Sequence, residues 1–137
     1  LSYAFASTGV PGVMNGLSTA DFLWSIQCSA VLQVAEKGSC VIVGRCAESI
    51  LKDTVPLLSV FIHTDFENRV LRVSEEQKIP RDKAADIVRK TDKKRASYHN
   101  YYSDLKWGAA TSYDLCINSA IGEENAAKFI IDCFSMK

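Results

Sequence analysis

The strongest chemical signal in the chain is a cluster of basic side chains over residues 89–95. Five of these seven residues are basic, and Asp92 is the one acid among them. Like charges at this density repel one another, so the cluster favours an anionic partner. The basic residues are Arg89, Lys90, Lys93, Lys94 and Arg95.

If this segment is helical, Arg89, Asp92 and Arg95 share one edge, because spacings of three and six residues cover about a third of the helix circumference. Two guanidinium groups on one edge suit phosphate, whose oxygens they bind bidentately. Phosphoryl transfer needs positioning and charge neutralisation more than a protein nucleophile. The alternative is a solvated helix face with ordinary ion pairs, Asp86 with Lys90 and Asp92 with Arg95. From spacing alone the solvated face is the safer interpretation.

A second candidate is Arg45, which follows Gly44 at the end of the apolar run 40–43. In an open α/β sheet, ligands bind beyond the carboxyl ends of the strands. Arg45 would lie on that rim, near Thr64 and Asp65, which follow the next predicted strand. It is either a phosphate or base contact or an ordinary surface arginine.

Aromatic residues follow the basic cluster at Tyr98, Tyr101, Tyr102 and Trp107. They are compatible with base stacking, with core packing or with a subunit contact. Core or subunit packing is the safer interpretation.

The elements that must position these residues alternate between helices and strands. An apolar stripe at helical spacing (Leu23, Ile26, Ala30, Val34) predicts the first helix, capped by Ser18 or Thr19. Residues 1–18, rich in glycine, favour a loop. The order predicts a parallel sheet with helices on both faces. The predicted helices cover residues 20–37, 47–52, about 65–76 after a Thr64–Glu67 capping box, 81–102 and 122–136, and the strands cover residues 40–43, 57–62 and 113–117.

Composition excludes several classes of protein. Sixteen basic residues balance sixteen acidic ones, so net charge gives no support for nucleic-acid binding. The five cysteines are odd in number and scattered, which predicts reduced, buried thiols in a cytoplasmic protein. The sequence has neither a Cys-x-x-Cys pair nor a cluster of His and Cys residues, so it predicts no metal site. No apolar run is long enough to span a bilayer.

Taken together, several segments resemble the cytidylate kinase-like family, which is related to bacterial cytidylate kinases and more broadly to P-loop nucleoside monophosphate kinases. The resemblance covers nearly the whole chain. It implies one partial domain over residues 1–137, with a three-layer parallel sheet and a lid at about residues 81–108. The segments that carry it are residues 41–47, 60–63, 90–98, 106–108 and 113–118.

The resemblance also implies an activity, which is transfer of the ATP γ-phosphate to a nucleoside monophosphate, with CMP or dCMP as the implied acceptor. ATP and Mg²⁺ are the implied cofactors. Nucleotides are the implied partners, with neither nucleic acid nor membrane, and assembly into a homo-oligomer is left open.

Family motifs match at particular positions. The lid pattern Asp-x-x-Arg matches Asp92 and Arg95, which implies that Arg95 meets the transferring phosphate and that Asp92 steers it. Cytidylate kinases carry Gly-Arg-Asp after the strand that corresponds to residues 40–43. Here Gly44 and Arg45 match, whereas Cys46 replaces the aspartate, and this bears on which monophosphate is accepted. Further implied phosphate-binding residues are Arg89, Lys90 and Lys94.

The family begins with a strand and a glycine-rich phosphate loop with its lysine, and we find no counterpart in the 137 residues. We therefore expect that loop to precede residue 1, and we expect these residues alone to turn ATP over poorly, because its phosphates would lack their cradle. Efficient phosphorylation of CMP by them would contradict this. The alternative function is a non-catalytic nucleotide- or anion-binding module. A polynucleotide-binding domain is disfavoured by the zero net charge.

Overall fold

The computed structural model describes residues 18–137, and the loop predicted before residue 18 lies outside this range. Within it the chain is a mixed α/β structure with five α-helices, two strands and two short 3₁₀ turns. The elements are α1 (Thr19–Glu36), α2 (Ala47–Leu51), β1 (Val60–His63), α3 (Phe66–Gln77), α4 (Arg81–Tyr102), β2 (Leu115–Asn118) and α5 (Glu123–Ser135), with the 3₁₀ turns at Ala110–Ser112 and Ser119–Ile121.

Side-chain caps fix the starts of two helices. Ser18 caps α1 through a reciprocal capping box with Asp21, as the sequence predicts. The capping box predicted at Thr64 is wrong by one residue. Asp65 is the cap instead, and its carboxylate accepts a hydrogen bond of 2.9 Å from the backbone N–H of Asn68. A carboxylate suits this position because it also faces the positive end of the helix dipole.

The strands β1 and β2 run parallel, with Val60 opposite Leu115 and His63 opposite Asn118. Helices α3 and α4 form the crossover between them, so the parallel pairing predicted from the alternating pattern is confirmed for these two strands.

The strand predicted over residues 40–43 is wrong for the described part of the chain. These residues join no ladder with residues 18–137, and Val41 and Val43 are 93% and 89% exposed. A strand exists only through hydrogen bonds to a neighbour, so an apolar β-branched run without a neighbour stays irregular. The sheet seen here has two strands, and the three-layer arrangement is not formed by these residues.

Two separate hydrophobic clusters hold the helices. In the first, Val31 of α1 packs on Ala47 and Leu51 of α2. In the second, Val70 of α3 packs on Ala84 and Val88 of α4. The predicted stripe of α1 is therefore not its buried face here, because Leu23, Ile26 and Val34 are 40–59% exposed.

All five cysteines are free thiols, as predicted, but their predicted burial is wrong for most of them. Cys46 is buried, whereas Cys40 and Cys116 are exposed. No helix among residues 18–137 combines the length and the hydrophobicity that a membrane span requires.

Asp114 joins the starts of the two strands to Lys137, which lies just after α5. Its carboxylate accepts hydrogen bonds of 2.8 Å from both the backbone N–H and the hydroxyl of Ser59, and the Lys137 Nζ lies 2.9 Å away. The Ser59 N–H above all, then the Lys137 ammonium, lower the pKa of Asp114 to about 2. The ionised carboxylate is therefore part of the folded state at neutral pH.

We predict that Asp114→Asn lowers the free energy of unfolding by roughly 1 kcal/mol at pH 7, a modest loss because the side chain is partly exposed. The folded pKa lies below the unfolded value of about 3.9, so the carboxylate contributes above pH 4 and loses its contribution as the pH falls toward 2. The difference between wild type and variant should shrink over that window in urea titrations. A constant difference would contradict the assignment, and Asp132→Asn serves as the surface control.

Candidate functional site

Helix α4 continues unbroken through the basic cluster, as the sequence predicts. Each residue turns the helix by about 100°, which divides the cluster between two faces. The outer face carries a shallow depression of about 400 Å³ lined by Lys90, Lys93, Lys94 and Ser97. The inner face contains Val88, which is buried against α3, and His99, which is buried farther along. Arg95 lies on this inner side, seven residues after Val88 and four before His99.

Asp92 forms an ion pair that joins helix α4 to helix α3. Its Oδ2 lies 2.6 Å from the Arg69 Nη1 of α3, and each side chain is 28% exposed. Neither ion pair predicted within α4 is formed, since Asp86 contacts Arg89 at 3.4 Å instead of Lys90, and Asp92 does not contact Arg95. In this structure Asp92 fixes α4 to α3, and its steering of Arg95 stays a prediction.

Arg89 is also engaged with α3, because its guanidinium carbon lies 4.9 Å from the centre of the Phe66 ring. This cation–π contact joins the weak ion pair to Asp86. Arg95 differs from Arg89 in making no ion pair or side-chain hydrogen bond within residues 18–137, and it is exposed. Of the two exposed arginines, Arg95 is the one whose guanidinium group has no ion-pair partner within residues 18–137.

Arg45 lies in a strained turn. Three consecutive residues have left-handed backbone, with φ of 68° at Gly44, 63° at Arg45 and 53° at Cys46. Glycine adopts this conformation freely, whereas at each of the other two residues it lowers the stability of the fold by roughly 1–2 kcal/mol. Strain of this kind persists only where surrounding contacts hold it, and it concentrates at functional sites. The side chain of Arg45 is exposed, whereas Cys46 is 2% exposed and occupies the N-cap position of α2 without a capping hydrogen bond from its side chain.

An aromatic wall connects α4 to α1 beside this turn. The rings of Trp24 and Tyr102 are stacked with centroids 4.2 Å apart, and Tyr98 packs edge-on to Trp24 at 6.3 Å. Next to them is a cavity of about 250 Å³ lined by Ala20, Leu23, Trp24, Gln27, Arg45, Tyr98 and Tyr102. The structure thus brings Arg45 beside the same stretch of α4 that carries Arg95.

The aromatic residues that follow the basic cluster serve mainly as internal packing. Tyr98 and Tyr102 pack on α1, and Trp107 packs edge-on to Phe61 of β1 with centroids 5.5 Å apart. Tyr101 is 74% exposed. Of the interpretations left open by the sequence, packing within the chain is confirmed for Tyr98, Tyr102 and Trp107.

A buried polar pair joins α4 to α2. His99 Nε2 lies 2.7 Å from Glu48 Oε1, and these side chains are 8% and 15% exposed. Beside them the hydroxyls of Ser49 and Ser103 share a hydrogen bond of 2.6 Å. These contacts could not be predicted from the sequence, because the paired residues are more than 50 positions apart. A histidine and a glutamate at that distance match no motif.

Cys46 occupies the position at which cytidylate kinases carry aspartate. Burial, with smaller contributions from Glu48 and Cys28, raises the pKa of its thiol to about 11. A buried neutral thiol supplies neither the charge nor the hydrogen-bond acceptors of a carboxylate. The third residue of the Gly-Arg-Asp pattern therefore cannot act here as it does in those enzymes.

Comparison with known proteins identifies the family of the chain. The sequence model of the cytidylate kinase-like family matches residues 2–121, and the chain belongs to this family. The chain is also similar to a solved structure described as an uncharacterized protein from Eubacterium ventriosum ATCC 27560. The two are 34% identical with a TM-score of 0.81, over 90% of this chain and 72% of that one. No curated protein matches the chain.

We predict that Asp92→Asn destabilises the protein by about 1–3 kcal/mol, because it leaves the half-buried Arg69 guanidinium without its counter-charge. Asp86→Asn is the matched control on the same helix, and its exposed pair should contribute about 0.5 kcal/mol or less. Urea unfolding at pH 7 measures both changes. Equal effects of the two substitutions would show that the contact between Asp92 and Arg69 does not hold α4 to α3.

Proposed function

We propose that the protein is a nucleotide kinase that transfers the γ-phosphate of ATP to a nucleoside monophosphate, with CMP or dCMP as the acceptor. The proposal includes the three-layer α/β fold of the P-loop nucleoside monophosphate kinases. It is supported by the match to the cytidylate kinase-like family and by the parallel pairing of β1 and β2.

The observation that carries the proposal is the approach of Arg45 to helix α4. Arg45 shares a cavity with Tyr98, and Arg95 lies one helical turn before Tyr98 on the inner side of α4. Both arginines are exposed, and no ion pair within residues 18–137 occupies either guanidinium group. Two such groups beside the same stretch of α4 match the multiple charges of a phosphate ester better than they match any neutral ligand.

Their roles in the proposal differ. Arg45, held in its turn, binds the phosphate of the acceptor nucleotide. Arg95 neutralises charge on the phosphoryl group during transfer, where fixed positive groups stabilise the transition state. Lys90 and Lys94, on the outer face of α4, attract phosphates at longer range, and this attraction weakens as salt rises. Arg89 stays with α3.

Magnesium is not assigned to protein ligands. Within residues 18–137, no group of three or more His, Cys, Asp or Glu side chains could hold a metal ion. Magnesium in phosphoryl transfer is commonly held largely by nucleotide phosphates and water, so the proposal requires no such group, and no step is assigned through the ion.

The choice of CMP or dCMP comes from the family, and Cys46 weighs against a narrow preference. A buried thiol replaces the carboxylate that helps to hold the nucleotide in cytidylate kinases. We therefore expect a broader acceptor range, which a panel of CMP, dCMP, UMP, AMP and GMP would measure. A cytoplasmic location is part of the proposal, supported by five cysteines that form no disulfide.

We predict that Arg95→Ala in the intact protein lowers kcat at least about 100-fold, because the charge on the transferring group loses its neutralising partner. Arg95→Lys should restore little, since an ammonium group lacks the bidentate geometry of a guanidinium. A coupled assay with ATP, Mg²⁺ and each monophosphate measures both variants.

The matched control is Arg81→Ala, which removes the same charge from the first residue of the same helix, about 21 Å from Arg95 along the axis. Its kcat should stay close to the wild-type value. Equal losses in Arg81→Ala and Arg95→Ala would contradict the role of Arg95. Binding of monophosphates with no turnover in the wild-type protein would favour the non-catalytic nucleotide-binding module.

A further inference from the structure

Gln27 of α1 lies between the strained turn and helix α4, and it hydrogen-bonds to both. The hydroxyl of Tyr98 donates to the Gln27 Oε1 at 2.8 Å. The Gln27 Nε2 donates in turn to the carbonyl oxygen of Arg45 at 3.1 Å. The amide thus uses its acceptor on one side and its donor on the other, which makes one continuous chain of hydrogen bonds from α4 to the Arg45 backbone.

The same stretch of α4 also holds the helix that follows the turn. Glu48 and Ser49, at the start of α2, contact His99 and Ser103. The turn is therefore attached to α4 on both of its sides, through α1 before it and through α2 after it. Attachment on both sides is what keeps two consecutive non-glycine residues in left-handed backbone.

We propose that Gln27 and Tyr98 are positioning residues for Arg45. By holding the Arg45 carbonyl, they keep the turn in the conformation that presents the guanidinium group to the phosphate of the acceptor nucleotide. They also make the position of Arg45 depend on the helix that carries Arg95. This inference rests on the proposed function for its ligand, and it adds two residues that the family pattern does not assign.

The first test measures the turn itself and is independent of any kinase activity. Cys46 adjoins Arg45 and is 2% exposed, so release of the turn should expose its thiol. Exposure should also remove the desolvation that raises its pKa, and both effects speed alkylation. In Tyr98→Phe, the rate of Cys46 alkylation by iodoacetamide at pH 8 should rise at least about fivefold. Mass spectrometry of peptides reports this rate, with exposed Cys40 as the internal reference.

Tyr101→Phe is the matched control, because it removes an exposed hydroxyl from the same helix that makes no hydrogen bond within residues 18–137. It should leave the alkylation of Cys46 unchanged. Gln27→Glu breaks the chain at its other end, since the new carboxylate still accepts from Tyr98 but cannot donate to the Arg45 carbonyl. In the double variant, which combines Tyr98→Phe with Gln27→Glu, Cys46 should be alkylated no faster than in Gln27→Glu alone, because both changes interrupt the same chain of hydrogen bonds.

The second test measures the ligand. Isothermal titration with CMP, and KM for CMP in the coupled assay, should show affinity about 10-fold weaker in Tyr98→Phe, with kcat and the KM for ATP within about twofold of wild type. A role confined to stability would not separate these parameters. Tyr98→Phe that binds CMP as wild type does would overturn the inference and leave the proposed function intact.

The outcomes separate the two proposals. Wild-type protein that binds CMP without phosphorylating it would remove the proposed function, and the same titration of Tyr98→Phe would still decide the inference. Unchanged Cys46 alkylation in both single variants would overturn the inference whatever the kinase assay shows. Absence of binding to every monophosphate of the panel in wild type would remove both.

Discussion

The structure depends on one face of helix α4 having two different sets of neighbours. Its first half packs on α3 through Val88 and the ion pair from Asp92, and its second half packs on α1 and α2 through Tyr98 and His99. A helix of 22 residues is about 33 Å long, so this one helix reaches from α3 to the pair formed by α1 and α2. Arg95 lies on that face between the two halves, where neither set of neighbours covers it.

Much of the secondary structure could be predicted from the sequence, because helices leave local signals. The bounds of α4 and the parallel pairing of β1 with β2 followed from periodicity and from the alternating order of elements. What could not be predicted is which apolar surface is covered. Residues 40–43 and the outer stripe of α1 look like buried segments, yet burial depends on a neighbour that no local pattern specifies.

For the candidate site, too, some features could be predicted from the sequence and others could not. Arg45, Asp92 and Arg95 could be selected because charge density, a glycine and a short motif mark them in the sequence. The contacts on either side of the Arg45 turn join residues that lie far apart in the chain, Gln27 with Tyr98 and Glu48 with His99. Ordinary polar residues at such distances carry no signal until the fold brings them together. The ion pair between Asp92 and Arg69 is likewise a contact that no local sequence pattern predicts.

The left-handed backbone at Arg45 and Cys46 has a consequence for how this protein would respond to selection for stability. Glycine or asparagine would relieve the strain at Arg45, and stability alone would favour that exchange. The exchange would also delete the guanidinium group. If Arg45 binds phosphate as proposed, stability and ligand affinity are opposed at this position, and a thermostabilised variant obtained by blind screening is expected to lose the proposed phosphate contact here.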